Sequence, residues 1–204
     1  VPDAVFPKGA TDIRDAVLWV IEHVSEGDIS RVFVMGHSAG GVHVATMLLI
    51  PTLFPPLLSK AIRGVVLMGV PYKVTNNKAL PFRIAAEKSY EGEKKIALNQ
   101  PKRLLRRAHQ DHVRSWPPIH NILAQSEPRR LKTANRAFLE NFKDKGVMVK
   151  GIVLEGHDQI GPILALISDT GEDWGTDTVK WILESVASSV TSSQELEDEK
   201  GEEV

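Results

Sequence analysis

Gly36-His37-Ser38-Ala39-Gly40 sets one hydroxyl between two glycines, at a junction of contrasting segments. Before it runs Arg31-Val32-Phe33-Val34-Met35, β-branched and aromatic, short enough for a buried parallel strand. After it, Gly41 to Ile50 is small or apolar and free of proline until Pro51 stops it. A serine on such a strand–turn–helix junction can be presented as a nucleophile. Gly36 and Gly40 flank the serine because the turn is too tight for bulk, and Ala39 and Gly41 lie close by. Small residues let the helix approach the strand and let the serine take a strained backbone. The helix start also aims free backbone N–H groups at the site, where they suit a developing oxyanion. The bland alternatives are a plain Gly-Ser turn and a phosphate-binding loop.

A serine hydroxyl is a weak nucleophile at neutral pH and needs a base. Of seven histidines, His37 and His43 are local to the turn, and His23 lies in an earlier helical stretch. His109, His112 and His120 fall in or beside a long crossover. His157 directly follows the last strand-like run, in a Gly-His turn, which fits the chain order serine, acid, histidine. The acid must orient the imidazole and stabilise its cation. Glu127 is the carboxylate at the end of the third strand-like run; Asp158 is the rival, adjacent to His157 and poorly placed to reach round to its ring. The cluster Lys102, Arg103, Arg106, Arg107 and Arg114 reads either as a solvated helix face or as an attractor of acidic substrate. Tyr72, Phe82 and Trp116 could line a pocket or form core.

The elements that would position these groups can be read along the chain. Its 204 residues, 42% hydrophobic, suit one packed domain, and the net charge of −1 gives no case for nucleic acid. Cysteine is absent, which excludes thiol catalysis, disulfides and Cys-ligated zinc. No apolar stretch approaches the ~18 residues of a membrane span, and no signal peptide is seen; the expected location is cytoplasmic. Residues 1–9 read as a loop, followed by a helix capped by Thr11 and running to about Glu26. Strands are expected at Ile62–Val70, Ile119–Gln125 and Val147–Leu154, and helices at Leu131–Phe142 and Asp177–Val190. The pattern predicts an α/β fold, a mostly parallel doubly wound sheet flanked by helices over residues 1–190. Residues 72–118 could form a cap or lid, and the acidic segment 191–204 reads as a disordered tail. The serine then sits at the carboxyl end of its strand, where open α/β sheets place their sites.

Two segments carry a family resemblance: Gly36-His37-Ser38-Ala39-Gly40-Gly41 and Glu155-Gly156-His157-Asp158-Gln159-Ile160-Gly161-Pro162. The chain resembles the α/β-hydrolase superfamily, in its carboxylesterase and kynurenine formamidase-like branch; Gly171-Glu172-Asp173-Trp174-Gly175 looks like the fungal members. The resemblance implies Ser38 as nucleophile, His157 as base and the Ala39 N–H as an oxyanion donor. Ser126-Glu127-Pro128 fills the place of the family's usual Asp loop, which carries Glu127 over as the acid. The family's leading strands and His-Gly-Gly-type loop have no counterpart here, so the fold is expected to be N-terminally incomplete, with the Val32–Met35 strand at a sheet edge open to pairing or self-association. Two readings follow. One is a serine hydrolase cleaving an ester or small amide through an acyl-enzyme. The other is a divergent fold member of little activity that acts as a binding module. No metal or organic cofactor is implied.

Overall fold

The computed structural model describes residues 4–166 and 168–201, with side chains to Ala187. Four strands, β1 (Val32–His37), β2 (Ile62–Met68), β3 (Ile119–Ala124) and β4 (Val149–Leu154), form one sheet in the order β1-β2-β3-β4. Every pairing is parallel. Parallel neighbours need crossovers, and helices supply them: α2 (Ala39–Leu49) and α3 (Pro56–Ala61) between β1 and β2, α4 (Pro81–Ser89), α5 (Glu93–Asn99), α6 (Pro101–Arg107) and α7 (Gln110–Arg114) between β2 and β3, and α8 (Arg129–Asp144) between β3 and β4; α1 (Lys8–His23) precedes β1, and α9 (Gly161–Ala165) and α10 (Asp173–Gly201) follow β4. Among the described residues β1 has one neighbour, β2, so it lies at an edge; Met35 is 45% exposed. No helix in the described residues is long and apolar enough to cross a membrane.

Strand side chains alternate between faces, and two cores record it. On β2, Val65 and Leu67 join the main core with Val44, Leu48 and Phe138, whereas Val66 and Met68 join Trp174 and Trp181 of α10 on the other face. β1 divides likewise, Val32 and Val34 packing on the main core and Phe33 on the second. Helices therefore cover both faces, which is why β2 and β3 read as continuous apolar runs.

Several expected boundaries move. Helix α1 starts at Lys8, because Pro7 opens the turn: its carbonyl accepts from the Ala10 and Thr11 N–H groups, so Thr11 lies within the helix and does not cap it. That helix ends at His23, short of Glu26. Helix α10 starts at Asp173, four residues ahead of Asp177, drawn in by Trp174, which is buried and donates its ring N–H to the Pro162 carbonyl at 3.1 Å. Helix α10 runs on to Gly201, past the expected end at Val190 and into the acidic segment 191–204 expected to be disordered, whose side chains lie outside the described residues.

Residues 72–118 fold as four short helices. Val74, Tyr90 and Ile96 make a small cluster of their own, while Leu105, Val113 and Trp116 enter the main core. Tyr72 is buried, stacked on Phe138 with ring centroids 3.7 Å apart, and donates its hydroxyl to Asn121 at 2.9 Å. Tyr72 and Trp116 are thus core residues, and Phe82 is exposed.

Candidate active site

The sheet's hydrogen-bond ladder runs on into the loops at its carboxyl edge. Ser38 N–H donates to the Met68 carbonyl, Gly69 N–H to Ile122 and Gln125 N–H to Leu154, each at 2.9 Å. The Ser126 N–H bonds the His157 carbonyl at 2.9 Å. The loops bearing Ser38, Glu127 and His157 are thereby fastened side by side at one end of the sheet.

Ser38 has φ 50° and ψ −119°, a backbone conformation that costs a non-glycine residue of order 1–3 kcal/mol. Close packing fixes it. A Cβ on Gly36 would come within 2.7 Å of the Gly41 Cα, and one on Gly41 within 2.9 Å of the Gly36 carbonyl oxygen. The glycine pair that the turn requires is therefore Gly36 and Gly41; a Cβ on Gly40 would meet nothing. Ala39 opens α2 and is exposed, so its N–H is among the helix's unpaired leading donors.

Glu127 is 3% exposed at the end of β3, with neither carboxylate oxygen hydrogen-bonded. Burial, and then the charge of Asp158, hold its pKa above the ordinary glutamate range. Its Oε1 faces Gly69, as do the Gln159 side chain and His37 Nε2: a Cβ there would lie 2.9, 3.7 and 3.7 Å from them, and φ +56° independently favours glycine. Asp158 is engaged elsewhere. Its Oδ1 accepts from the Ile160 and Gly161 N–H groups at 3.0 and 2.8 Å, which holds its pKa below the ordinary range and braces its own turn.

Glu127 and Ser38 thus meet at one rim, but the His157 ring is turned aside. It packs between Gly161 and Gly171, and its Nε2 edge faces Gly171. Among the described residues no hydrogen bond joins it to Ser38 or Glu127. The partner of Ser38 is Gln159, whose Nε2 donates to Oγ at 3.0 Å. Sequence reasoning missed Gln159; the available signal was its place two residues beyond His157 in one tight turn. The Gln159 carbonyl accepts from His37 Nε2 at 2.8 Å, so that nitrogen carries the proton and the His37 ring clamps the turn.

The remaining histidines have other work. His112 Nε2 bonds the Leu48 carbonyl, His23 bonds Trp19, His109 pairs with Asp111, and His120 is buried against Trp181. His43 packs against Gly9. Of the basic cluster, Arg103, Arg106, Arg107 and Arg114 are exposed.

Residues 1–158 match the family model for the alpha/beta hydrolase fold. No curated protein matches the sequence significantly. Among solved structures, esterase B from Lactobacillus rhamnosis shares 14% identity over 95% of this chain and 66% of its own, with a TM-score of 0.72. Carboxyl esterase 2 from the mycorrhizal fungus Tuber melanosporum shares 19%, over 88% and 62%, with a TM-score of 0.66. A thermostable esterase from Pseudomonas putida shares 18%, over 84% and 57%, with a TM-score of 0.63. At these identities the likeness speaks for the fold. The chain spans less than two thirds of the length of each.

Proposed function

The chain belongs to the α/β-hydrolase fold family, and from that premise we propose that it is a serine hydrolase of carboxylic esters, or of small amides and formamides, working through an acyl-enzyme. The observation that carries the reading is Ser38, held at φ 50° on the turn between β1 and α2. The formamide class enters through the kynurenine formamidase-like sequence of the elbow and the His157 turn.

In this reading Ser38 Oγ attacks the substrate carbonyl carbon while its proton passes to His157. The oxyanion forms against the Ala39 N–H, an interaction strongest in the transition state. Collapse expels the alcohol or amine, which takes the proton back from His157. Water then repeats the sequence on the acyl-Ser38 ester and releases the acid. Glu127, ionised, holds the imidazole and stabilises its cation. The cycle requires the 156–161 turn to shift, so that the His157 ring leaves Gly171 and replaces the Gln159 amide at Ser38.

That requirement also favours a second reading: a hydrolase-fold binding module whose serine is not activated. Fluorophosphonate labelling read by intact mass separates the two. The hydrolase reading expects one adduct, lost in both Ser38→Ala and His157→Ala. A folded chain with no adduct, or one that labels equally without His157, supports the binding module.

A further inference from the structure

Away from Ser38, the segment after β2 and helices α4 and α5 form a partly open pocket of about 80 Å³, lined by Thr75, Asn76, Arg83, Glu93, Ala97 and Gln100 among others. Arg83 is 2% exposed there, the largest fully buried side chain of the described residues. A guanidinium cannot shed its charge and offers five N–H donors. Its nearest carboxylates stand off, with Nη1 3.5 Å from Glu87 and Nη2 3.8 Å from Glu93, both beyond a charge-assisted hydrogen bond. Nε and Nη1 have no hydrogen-bond partner.

Two other polar groups of the lining, Thr75 and Gln100, keep a donor to offer. Thr75 Oγ1 accepts from the Asn77 N–H at 3.2 Å and from Arg130 Nη1 at 3.3 Å, which leaves its O–H to give. Gln100 Oε1 accepts from the Val74 N–H at 2.9 Å, which leaves its NH₂. The charge of Glu93 is met by Lys78 at 3.0 Å. A buried cation beside a hydroxyl and an amide NH₂ that each keep a donor to offer is complementary to an acceptor-only anion. The volume exceeds the roughly 10–15 Å³ that one water needs and leaves room for a carboxylate or phosphate group.

We propose that this cavity is a binding site for a small oxyanion, held by Arg83 with Thr75 and Gln100. Thr75 ties it to Arg130 on α8, three residues past Glu127.

The test is thermal unfolding of the full chain with inorganic phosphate or acetate, each against chloride at matched ionic strength. The expected result is a saturable rise of about 3–6 °C at ten times Kd for at least one of them. A response to phosphate alone identifies a phosphate site, and a response to acetate alone a carboxylate site. Arg83→Met removes the cation. Because a buried arginine can also matter to folding, Ala97→Leu is the second variant: it fills the mouth from an exposed helix position and keeps the charge. Both variants are expected to lose the response. No saturable rise in the native chain, as for a cavity holding water alone, overturns the proposal. So does a response that survives in Ala97→Leu.

Discussion

Replacing Glu127 by Gln separates what this side chain costs the fold from what it contributes to chemistry. Both carboxylate oxygens are buried without a hydrogen-bond partner, and burial together with Asp158 raises the pKa. A group whose folded pKa lies above its unfolded value binds its proton more tightly when folded, so stability falls as pH rises from the ordinary glutamate range through the folded pKa. An unsatisfied neutral polar group costs about 1–3 kcal/mol and a charged one more, so the neutral amide should recover at least about 1 kcal/mol once Glu127 is ionised. For a chain of this length that is a rise of about 2–4 °C in unfolding midpoint at pH 8, shrinking toward zero at pH 4 where the carboxyl is already neutral. The assay is thermal unfolding of both proteins across pH 4–8, beside ester turnover. Turnover should fall by about 10⁴-fold if Glu127 orients His157. A Glu127→Gln protein less stable than the native chain at pH 8, or a stability difference that does not vary with pH, refutes the reasoning.

Gly41→Ala drives a methyl against the Gly36 carbonyl and should cost about 1–3 kcal/mol with loss of fluorophosphonate labelling, whereas Gly40→Ala should be neutral to slightly stabilising; urea midpoints and adduct mass check both. His120 lies 1% exposed on Trp181, and burial lowers its pKa. The folded state therefore favours the neutral ring, and stability is lost as pH falls below the unfolded histidine value of about 6.5 toward the folded one. His120→Phe should flatten that part of the profile in denaturant titrations at pH 5 and 7.5, and an unchanged slope would mean that His120 does not titrate in the fold.

Where a single face or a single residue type decided the outcome, the sequence was sufficient. Val65-Val66-Leu67-Met68 reads as a buried strand, and two cores meet it. The elbow followed from the same logic, since a serine between a buried strand and a helix needs small neighbours. The identity of those neighbours did not follow. Gly40 lies closer to Ser38 in sequence than Gly41 does, yet the backbone crossing that excludes a side chain is between Gly36 and Gly41, a three-dimensional fact. The start of α10 was set by a tertiary burial, that of Trp174, which no local pattern announces. Gln159 escaped for the same reason: a glutamine in a turn reads as solvent-facing until the turn folds back over Ser38. Nor could spacing show that the His157 ring rests on Gly171, because ring rotation leaves no trace in sequence.

The free edge of β1 bears on more than solubility. The strand order rises in one direction, with no reversal among the described strands to form a crevice between them, and open α/β sheets bind ligands at such reversals. Ser38 stands at the end of that outermost strand, so a strand lying along β1 would end beside it. Were a strand to pair there, a ligand bound at Ser38 would lie beside both partners. Edge occupancy and ligand affinity would then be reciprocal quantities: if pairing tightens the ligand, the ligand must tighten the pairing by the same factor.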